Sequence, residues 1–317
     1  MKTPAFWFKP PGLLARALRP LACAYQGISR LRRGQAVPCP VPLIVIGNVV
    51  AGGAGKTPVT IALAQRLQQQ GRRVHLIAKG YGGKLKGPLQ VDPDKHTSFD
   101  VGDEPLLLAR HAPTWIGRDR GLALQAAAAA GADVIISDDG LQSPRLAPDL
   151  ALLVMDGVLG IGNGQLIPAG PLREPLSRAL ARVQAVIQVG GQARDYEGKP
   201  VIVGDFTVKN TDWLRGTRVL AFAGIGQPEK FFATLTAAGA QLVAALPYPD
   251  HHAFHDYEVR RLLRDAEAQS AIAVTTSKDA IRLPWNLRDQ VRVVEGDFIF
   301  RQTEQIDALC ARLWRPA

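Results

Sequence analysis

Ala51-Gly52-Gly53-Ala54-Gly55-Lys56-Thr57 (AGGAGKT) lies between two stretches of different periodicity, and that position decides the fold. Upstream, residues 41 to 47 (VPLIVIG) form a continuous apolar run rich in Val and Ile, the pattern of a strand covered on both faces. Downstream, Val59, Leu63, Ala64 and Leu67 recur at near 3.6 spacing within residues 58 to 70, and Gly71 follows, which predicts a helix with a glycine stop. Glycines in such a strand-to-helix turn let backbone N–H groups close around an anion, and the positive end of the following helix adds to the attraction. Lys56 then reaches the β and γ phosphates of a nucleotide, and the Thr57 hydroxyl is placed to ligate Mg²⁺. Gly52, Gly53, Ala54, Gly55 and Pro58 complete the expected nucleotide contact. The common GxxxxGK[ST] spacing puts a glycine where this chain has Val50, so the loop is a GGxGKT variant.

Charge is distributed unevenly. The 317 residues carry a formal net charge of +10, yet residues 1 to 91 contain fourteen Lys or Arg and no Asp or Glu, and the rest of the chain is net acidic. The N-terminal part therefore favours an anionic partner: a membrane surface, a phosphorylated substrate or nucleic acid. Within residues 13 to 33, Leu14, Leu18, Leu21, Tyr25 and Ile28 fall within about 80° on a helical wheel, with Arg16, Arg19 and Arg30 opposite. Trp7 and Phe8 precede them, flanked by Lys2 and Lys9, as an interfacial helix on an anionic membrane would require. Pro20 interrupts or restarts that helix, and packing on the chain's own core is the competing reading. No apolar run is long enough to span a bilayer, and Pro10, Pro11, Arg16 and Arg19 spoil a signal peptide. Cys23, Cys39 and Cys310 show neither a disulfide framework nor zinc-ligand spacing, which fits a reduced, cytoplasmic setting.

Strand patterns at 74–78, near 115, and at 134–137, 150–155 and 183–189 alternate with helical ones at 104–111 and 119–130, predicting a parallel sheet with helices on both faces. Residues 84 to 102 read as an irregular surface loop. A second α/β unit begins near Val219, with strands at 219–223, 242–246 and 271–275 and helices at 228–238 and 257–269. Two Gly-Asp-Phe segments, Val201 to Val208 and Val293 to Arg301, bracket it and are expected to pair as a two-stranded linker. The expected fold is α/β: a phosphate-loop parallel-sheet domain over residues 1–205 and a smaller α/β domain over 206–317, with the last helix returning to the first.

Four constellations carry chemistry. Val134 to Asp139 reads as a buried strand ending in Asp138 and Asp139, acids placed to meet the nucleotide's Mg²⁺; an Asp-Gly turn is the bland alternative. Asp103, in Val101-Gly102-Asp103-Glu104-Pro105, reads either as a helix N-cap or as a carboxylate that accepts a proton from a substrate hydroxyl. Tyr248 to Asp256 holds three of the six histidines, including His251; a His oriented by a carboxylate is more economical than a transition-metal site, and a polar loop with Asp256 as cap is the alternative. Pro168 to Pro175 is a stiff loop presenting Arg173, placed to neutralise a transferring phosphate, and Glu174.

Taken in order, GGxGKTP at 52–58, KGYGG at 79–83, VGDEP at 101–105, SDDGLQ at 137–142, PAGPLREP at 168–175, DHHAF at 250–254 and TSKDAIRL at 276–283 resemble the tetraacyldisaccharide 4'-kinase family across nearly the whole chain. Lys79 stands where that family often has Arg. The resemblance implies transfer of the ATP γ-phosphate to the 4'-hydroxyl of an acylated glucosamine disaccharide 1-phosphate, by a peripheral protein at the cytoplasmic face of the inner membrane. It implies Asp103 as catalytic base paired with His251, Lys56 and Thr57 on phosphate and Mg²⁺, Asp138, Asp139 and Glu174 around the metal, and Arg173 on the transferring group. A monomer is expected. Two rivals are a nucleotide-switch ATPase or GTPase of the partitioning or metallochaperone kind and a nucleic-acid ATPase. Ala51 replaces the Lys of dimeric members of the first class, and aromatic residues for base stacking are few in the basic segment, so nucleic acid is not an expected partner.

Overall fold

The computed structural model describes residues 4 to 30 and 34 to 314, so part of the basic segment, including Lys2 and residues 31 to 33, lies outside the described residues. In chain order the strands are β1 (Leu43–Gly47), β2 (Val74–Ala78), β3 (Leu89–Gln90), β4 (Thr114–Ile116), β5 (Val134–Ser137), β6 (Leu150–Asp156), β7 (Ala185–Val189), β8 (Val201–Val208), β9 (Arg218–Ala223), β10 (Gln241–Pro247), β11 (Ile272–Thr276), β12 (Arg292–Val294) and β13 (Gly296–Phe300). Nine of them form one sheet in the order β13-β8-β7-β6-β1-β5-β2-β4-β3, and β10-β9-β11-β12 form a second. The second sheet is wholly parallel; in the first only the outer pairs β13–β8 and β3–β4 are antiparallel.

The continuous apolar runs of the central strands follow from burial on both faces. Ile44 and Ile46 of β1 join Val59, Leu63 and Leu67 of the helix Lys56–Gln69 in one core, while Leu43 and Val45 face Leu124 and Ala127 of the helix Arg120–Ala129 in another. Leu63 and Leu67 are about 1% exposed, and burying each stabilises the fold by roughly 2 kcal/mol. β1 has β5 on one side and β6 on the other, so chain connections run outward in both directions from it. The loop at its carboxyl end therefore opens into the crevice where open α/β sheets bind ligands.

The Gly-Asp-Phe strands pair antiparallel, Gly296 to Val208 through Phe300 to Gly204. They do not stand alone as a linker. β8 also pairs with β7 from Val201 to Gly204, so this pair is the edge of the large sheet, and residue 205 falls inside β8. Phe298 and Phe300 pack into the large-sheet core beside Ile306, Leu309 and Cys310 of the helix Thr303–Cys310, and Asp307 pairs with Arg66. Residues 84 to 102 are more regular than the sequence indicated. They contain β3 and a helical turn Ser98–Val101 closed by a Thr97/Asp100 capping box.

The helices Leu13–Ala17 and Arg19–Arg30 restart around Pro20, which falls in the first turn of the second. Leu13, Leu14 and Leu21 are 85, 57 and 59% exposed, so this apolar surface is not spent on the core. Trp7 is not a free anchor: its indole N–H donates to the Pro168 carbonyl at 3.0 Å. Among the described residues no helix is long and apolar enough to cross a membrane.

Replacing Phe298 by Ala removes one of the two rings that join the edge pair to the core. Urea unfolding should show a loss of about 3 kcal/mol; a change below about 0.5 kcal/mol would mean the edge pair packs independently of the large sheet.

Candidate active site

The phosphate loop is built from the end of β1. Gly47 is required because a Cβ there would lie 2.4 Å from Leu141 Cβ, and Gly55 takes φ +83°, open to glycine at little cost, just before the helix Lys56–Gln69. Around Gly53 a Cβ would meet nothing within 4 Å, which leaves room for a ligand against the backbone. Val50, where glycine is usual, forms an antiparallel bridge with Leu172; Ala51 N–H donates to Pro171 O at 2.8 Å and Arg173 N–H to Val49 O at 2.7 Å. A β-bridge suits a β-branched residue, so the variant stitches the loop to the Pro168–Pro175 segment and positions Arg173.

Lys56, Thr57, Asp138, Asp139 and Arg173 converge. Lys56 Nζ donates to Asn48 Oδ1 at 3.3 Å and lies 3.7 Å from Asp139. Asp138 accepts from the Thr57 hydroxyl and the Thr60 hydroxyl, each at 3.1 Å. Burial pushes its carboxyl up to about 6, with Glu104 adding repulsion. For Asp139 burial also works upward, but Lys56 and Arg173 outweigh it and hold the acid below its ordinary value; Arg173 Nη1 reaches both its oxygens at 3.1 Å. Asp139 sits at φ +49°, a turn geometry that re-aims its side chain relative to Asp138. Two adjacent acids thus have separate environments: Asp138 faces hydroxyls and Asp139 faces cations.

Glu174 lies elsewhere. It accepts from Arg182 at 2.6 Å and Gln142 at 3.1 Å, and Gln142 also donates to Asn48 O. Its charge is neutralised by arginine, and among the described residues no group of three or more His, Cys, Asp or Glu side chains is arranged to hold a metal. A hydroxyl and one or two carboxylates remain, all hard oxygen donors. That set fits Mg²⁺, which keeps several waters and completes its shell with substrate phosphate rather than with an all-protein cage.

The second group spans both sheets. Asp103 begins the helix Asp103–Ala109 at a position where its side chain makes no capping bond, which corrects the N-cap reading. Instead its Oδ2 lies 2.9 Å from His251 Nδ1. His251 comes from the turn after β10 and adopts φ +61°, a left-handed conformation costing roughly 1 kcal/mol or more that the surrounding structure must hold. Asp250 Oδ2 lies 3.8 Å from its other nitrogen, and the ring of Tyr81, 76% exposed, lies 6.5 Å from the imidazole between centroids, inclined at 61°. His252 pairs with Glu258, and the cap of the helix Asp256–Ala268 is His255 with Glu258, not Asp256. The loop Gly224-Ile225-Gly226 connects the two groups, since a Cβ on Gly226 would lie 3.7 Å from Gly53 N and 3.6 Å from Asp250 Oδ2.

Three charged residues escaped the sequence reading. Arg120 is buried and donates to Asp138 O at 3.2 Å; burial pushes its guanidinium down against the support of Asp139 and Asp138. Arg282 reaches Asp103, and Lys278 lies between Glu104 and Asp250. The last two belong to the TSKDAIRL segment, quoted for its resemblance but given no role.

The profile of the family described as Tetraacyldisaccharide-1-P 4'-kinase matches residues 14–313. The chain belongs to that family. It is 51% identical to the Tetraacyldisaccharide 4'-kinase of Rhodospirillum centenum over 99% of this chain and 97% of that one, and 47% identical to the same-named protein of Gluconacetobacter diazotrophicus over 93% of each. Its fold matches the crystal structure of LpxK from Aquifex aeolicus in complex with ATP, with a TM-score of 0.79, 28% identity, and coverage of 96% of this chain and all of that one. These matches agree with the resemblance the seven ordered segments carried.

The environment of Asp138 makes stability depend on pH. Its folded pKa is raised above the ordinary 3.8, so its contribution is fully present below the unfolded value and is lost as pH rises through about 6. In the nucleotide-free protein the melting temperature of D138N relative to the unchanged chain should therefore rise between pH 4 and pH 7. A pH-independent difference would contradict the buried, hydroxyl-facing placement.

Proposed function

We propose that this chain transfers the γ-phosphate of ATP to the 4'-hydroxyl of a tetraacylated glucosamine disaccharide 1-phosphate, with Asp103 taking the hydroxyl proton. The observation that carries the reading is the Asp103–His251 contact beside a complete phosphate loop, in a chain of this family. In the transfer the acceptor oxygen forms its bond to the γ-phosphorus as the bond to the β-phosphate oxygen breaks, and the proton leaves to the carboxylate. His251 steadies that carboxylate through Nδ1. Lys56 and Arg173, both already paired with Asp139, are the cations that meet phosphate charge, and Arg120 adds a buried positive charge behind Asp138.

Thr57 and Asp138 are the residues that would hold Mg²⁺, with Asp139 orienting Lys56 and Arg173 rather than standing first at the metal. Bound there, the ion would supply positive charge to offset that of the phosphates. Glu174 acts on the same loop through Gln142 and Asn48, an indirect support for Lys56.

A lipid acceptor gives the exposed leucines of the N-terminal helices a purpose: they rest on an anionic bilayer surface and bring the crevice to its substrate, as a peripheral protein at the inner membrane would. The direct test incubates labelled ATP with the disaccharide 1-phosphate lipid in detergent micelles and locates the label. Label at the 4'-oxygen is expected; phosphate release without lipid labelling would favour a nucleotide switch. Deleting residues 1 to 33 should weaken co-sedimentation with anionic liposomes and raise the apparent KM for lipid while leaving the KM for ATP within about twofold. Unchanged partitioning would refute the membrane role.

A further inference from the structure

A buried cation stands behind the Asp103–His251 pair. The Arg282 side chain is 3% exposed, and its Nε, which donates its N–H to Lys278 O at 3.3 Å, lies 3.2 Å from Asp103 Oδ2 as a charge contact, against the same oxygen that His251 Nδ1 meets at 2.9 Å. Its Nη1 donates to two carbonyls, Gly224 O at 3.1 Å and His252 O at 3.2 Å. Gly224 O also accepts from His251 N–H at 3.1 Å. One guanidinium therefore touches the acid, the carbonyl of the residue after the histidine, and the turn on which the histidine's own backbone rests.

The guanidinium is itself held in place. Nη2 lies 3.0 Å from Asp279 Oδ1 as a charge contact, without the alignment of a hydrogen bond. Asp279 is wholly buried, and burial raises its carboxyl despite Arg282. It accepts from the Thr276 hydroxyl at 2.6 Å and from Gly224 N–H at 2.9 Å. Gly224 is tightly enclosed, since a Cβ would lie 3.1 Å from both His252 Cβ and Pro249 O.

We infer that Arg282 is the positioning residue of the Asp103–His251 pair, aiming the carboxylate from behind while fixing the turn that presents the imidazole. The inference rests on the phosphotransfer reading above. A buried ion network is a poor source of stability, because desolvation offsets its attraction. Closing the Gly224 turn needs only the Nη1 donor. The positive charge set against Asp103 goes beyond that need, and a planar guanidinium whose Nη1 and Nε donors hold carbonyls can still face the acid, where a lysine cannot do both. The left-handed His251 needs such an external hold, and Arg282 supplies it at the adjoining carbonyl.

The test measures kcat and KM for full-length R282Q and R282K, each also in a D103A background. R282Q should lose about 10- to 100-fold in kcat, the usual scale for misplacing a reacting group, with the KM for ATP within twofold. R282K, which keeps the charge and loses the fork, should fall between R282Q and the unchanged chain. In the D103A background R282Q should cost less than about twofold, because there is no carboxylate left to aim. Equal fold-losses in both backgrounds would overturn the inference and leave a structural role, as would a loss confined to the KM for ATP. If R282Q does not fold, the same comparison with R282K decides. A D103A enzyme with full turnover would overturn the base reading and this inference together; an inactive D103A with additive Arg282 losses would overturn this inference alone.

Discussion

The contact between Asp103 and His251 is the constraint on which the arrangement turns, because its two members come from a helix and a turn carried by different sheets. The large sheet supplies the phosphate loop and the acid; the small sheet supplies the imidazole. Neither sheet holds a complete site. The contact exists only when the loops after β9 and β10 reach the crevice at the carboxyl ends of the large sheet, and Lys230 reaching Asp156 at 2.7 Å ties the sheets a second time. The edge pair β8–β13 constrains the same relation from below, since the chain leaves the large sheet by β8 and returns by β13. A rigid antiparallel exit and entry limits the positions the small sheet can take.

Charge is balanced locally rather than globally. Lys56, Arg120 and Arg173 surround Asp138 and Asp139, and the two acids divide the work by environment: the one facing hydroxyls is pushed toward its neutral form, the one facing cations is kept ionised. Such a set is costly when nothing is bound. A polyphosphate with a divalent cation would relieve it, adding negative charge for the arginines and lysine and positive charge for Asp138. The basic residues of the first 91 positions thus differ in role: Lys56 belongs to the crevice, Arg66 pairs with Asp307, and Arg16 and Arg19 are surface charges beside exposed leucines.

Much of the fold was legible because its signals are local. β1 is apolar throughout, since both its faces are buried, and the glycines of AGGAGKT announce the turn that follows. The Gly-Asp-Phe repeats disclosed the β8–β13 pair, but nothing local showed that β8 also joins β7, because sheet membership depends on a partner far along the chain. At the site, Asp138 and Asp139 were visible at the end of a strand. Their different roles were not, since these follow from Thr60, Arg120 and a left-handed turn. Arg120 and Arg282 were hidden for the same reason: a single arginine reads as solvated until tertiary packing buries it. Asp103 shows the opposite error, a residue placed like a cap whose side chain is engaged by another sheet.

The central claim is that Asp103 and His251 act as one unit across the two sheets, and a double-mutant cycle on kcat with saturating ATP and lipid tests it most directly. D103A and H251A should each lower kcat, by about 10²- to 10⁴-fold for the acid, and the double variant should be no worse than the poorer single one. Losses that multiply in the double variant would show two independent residues and contradict the account.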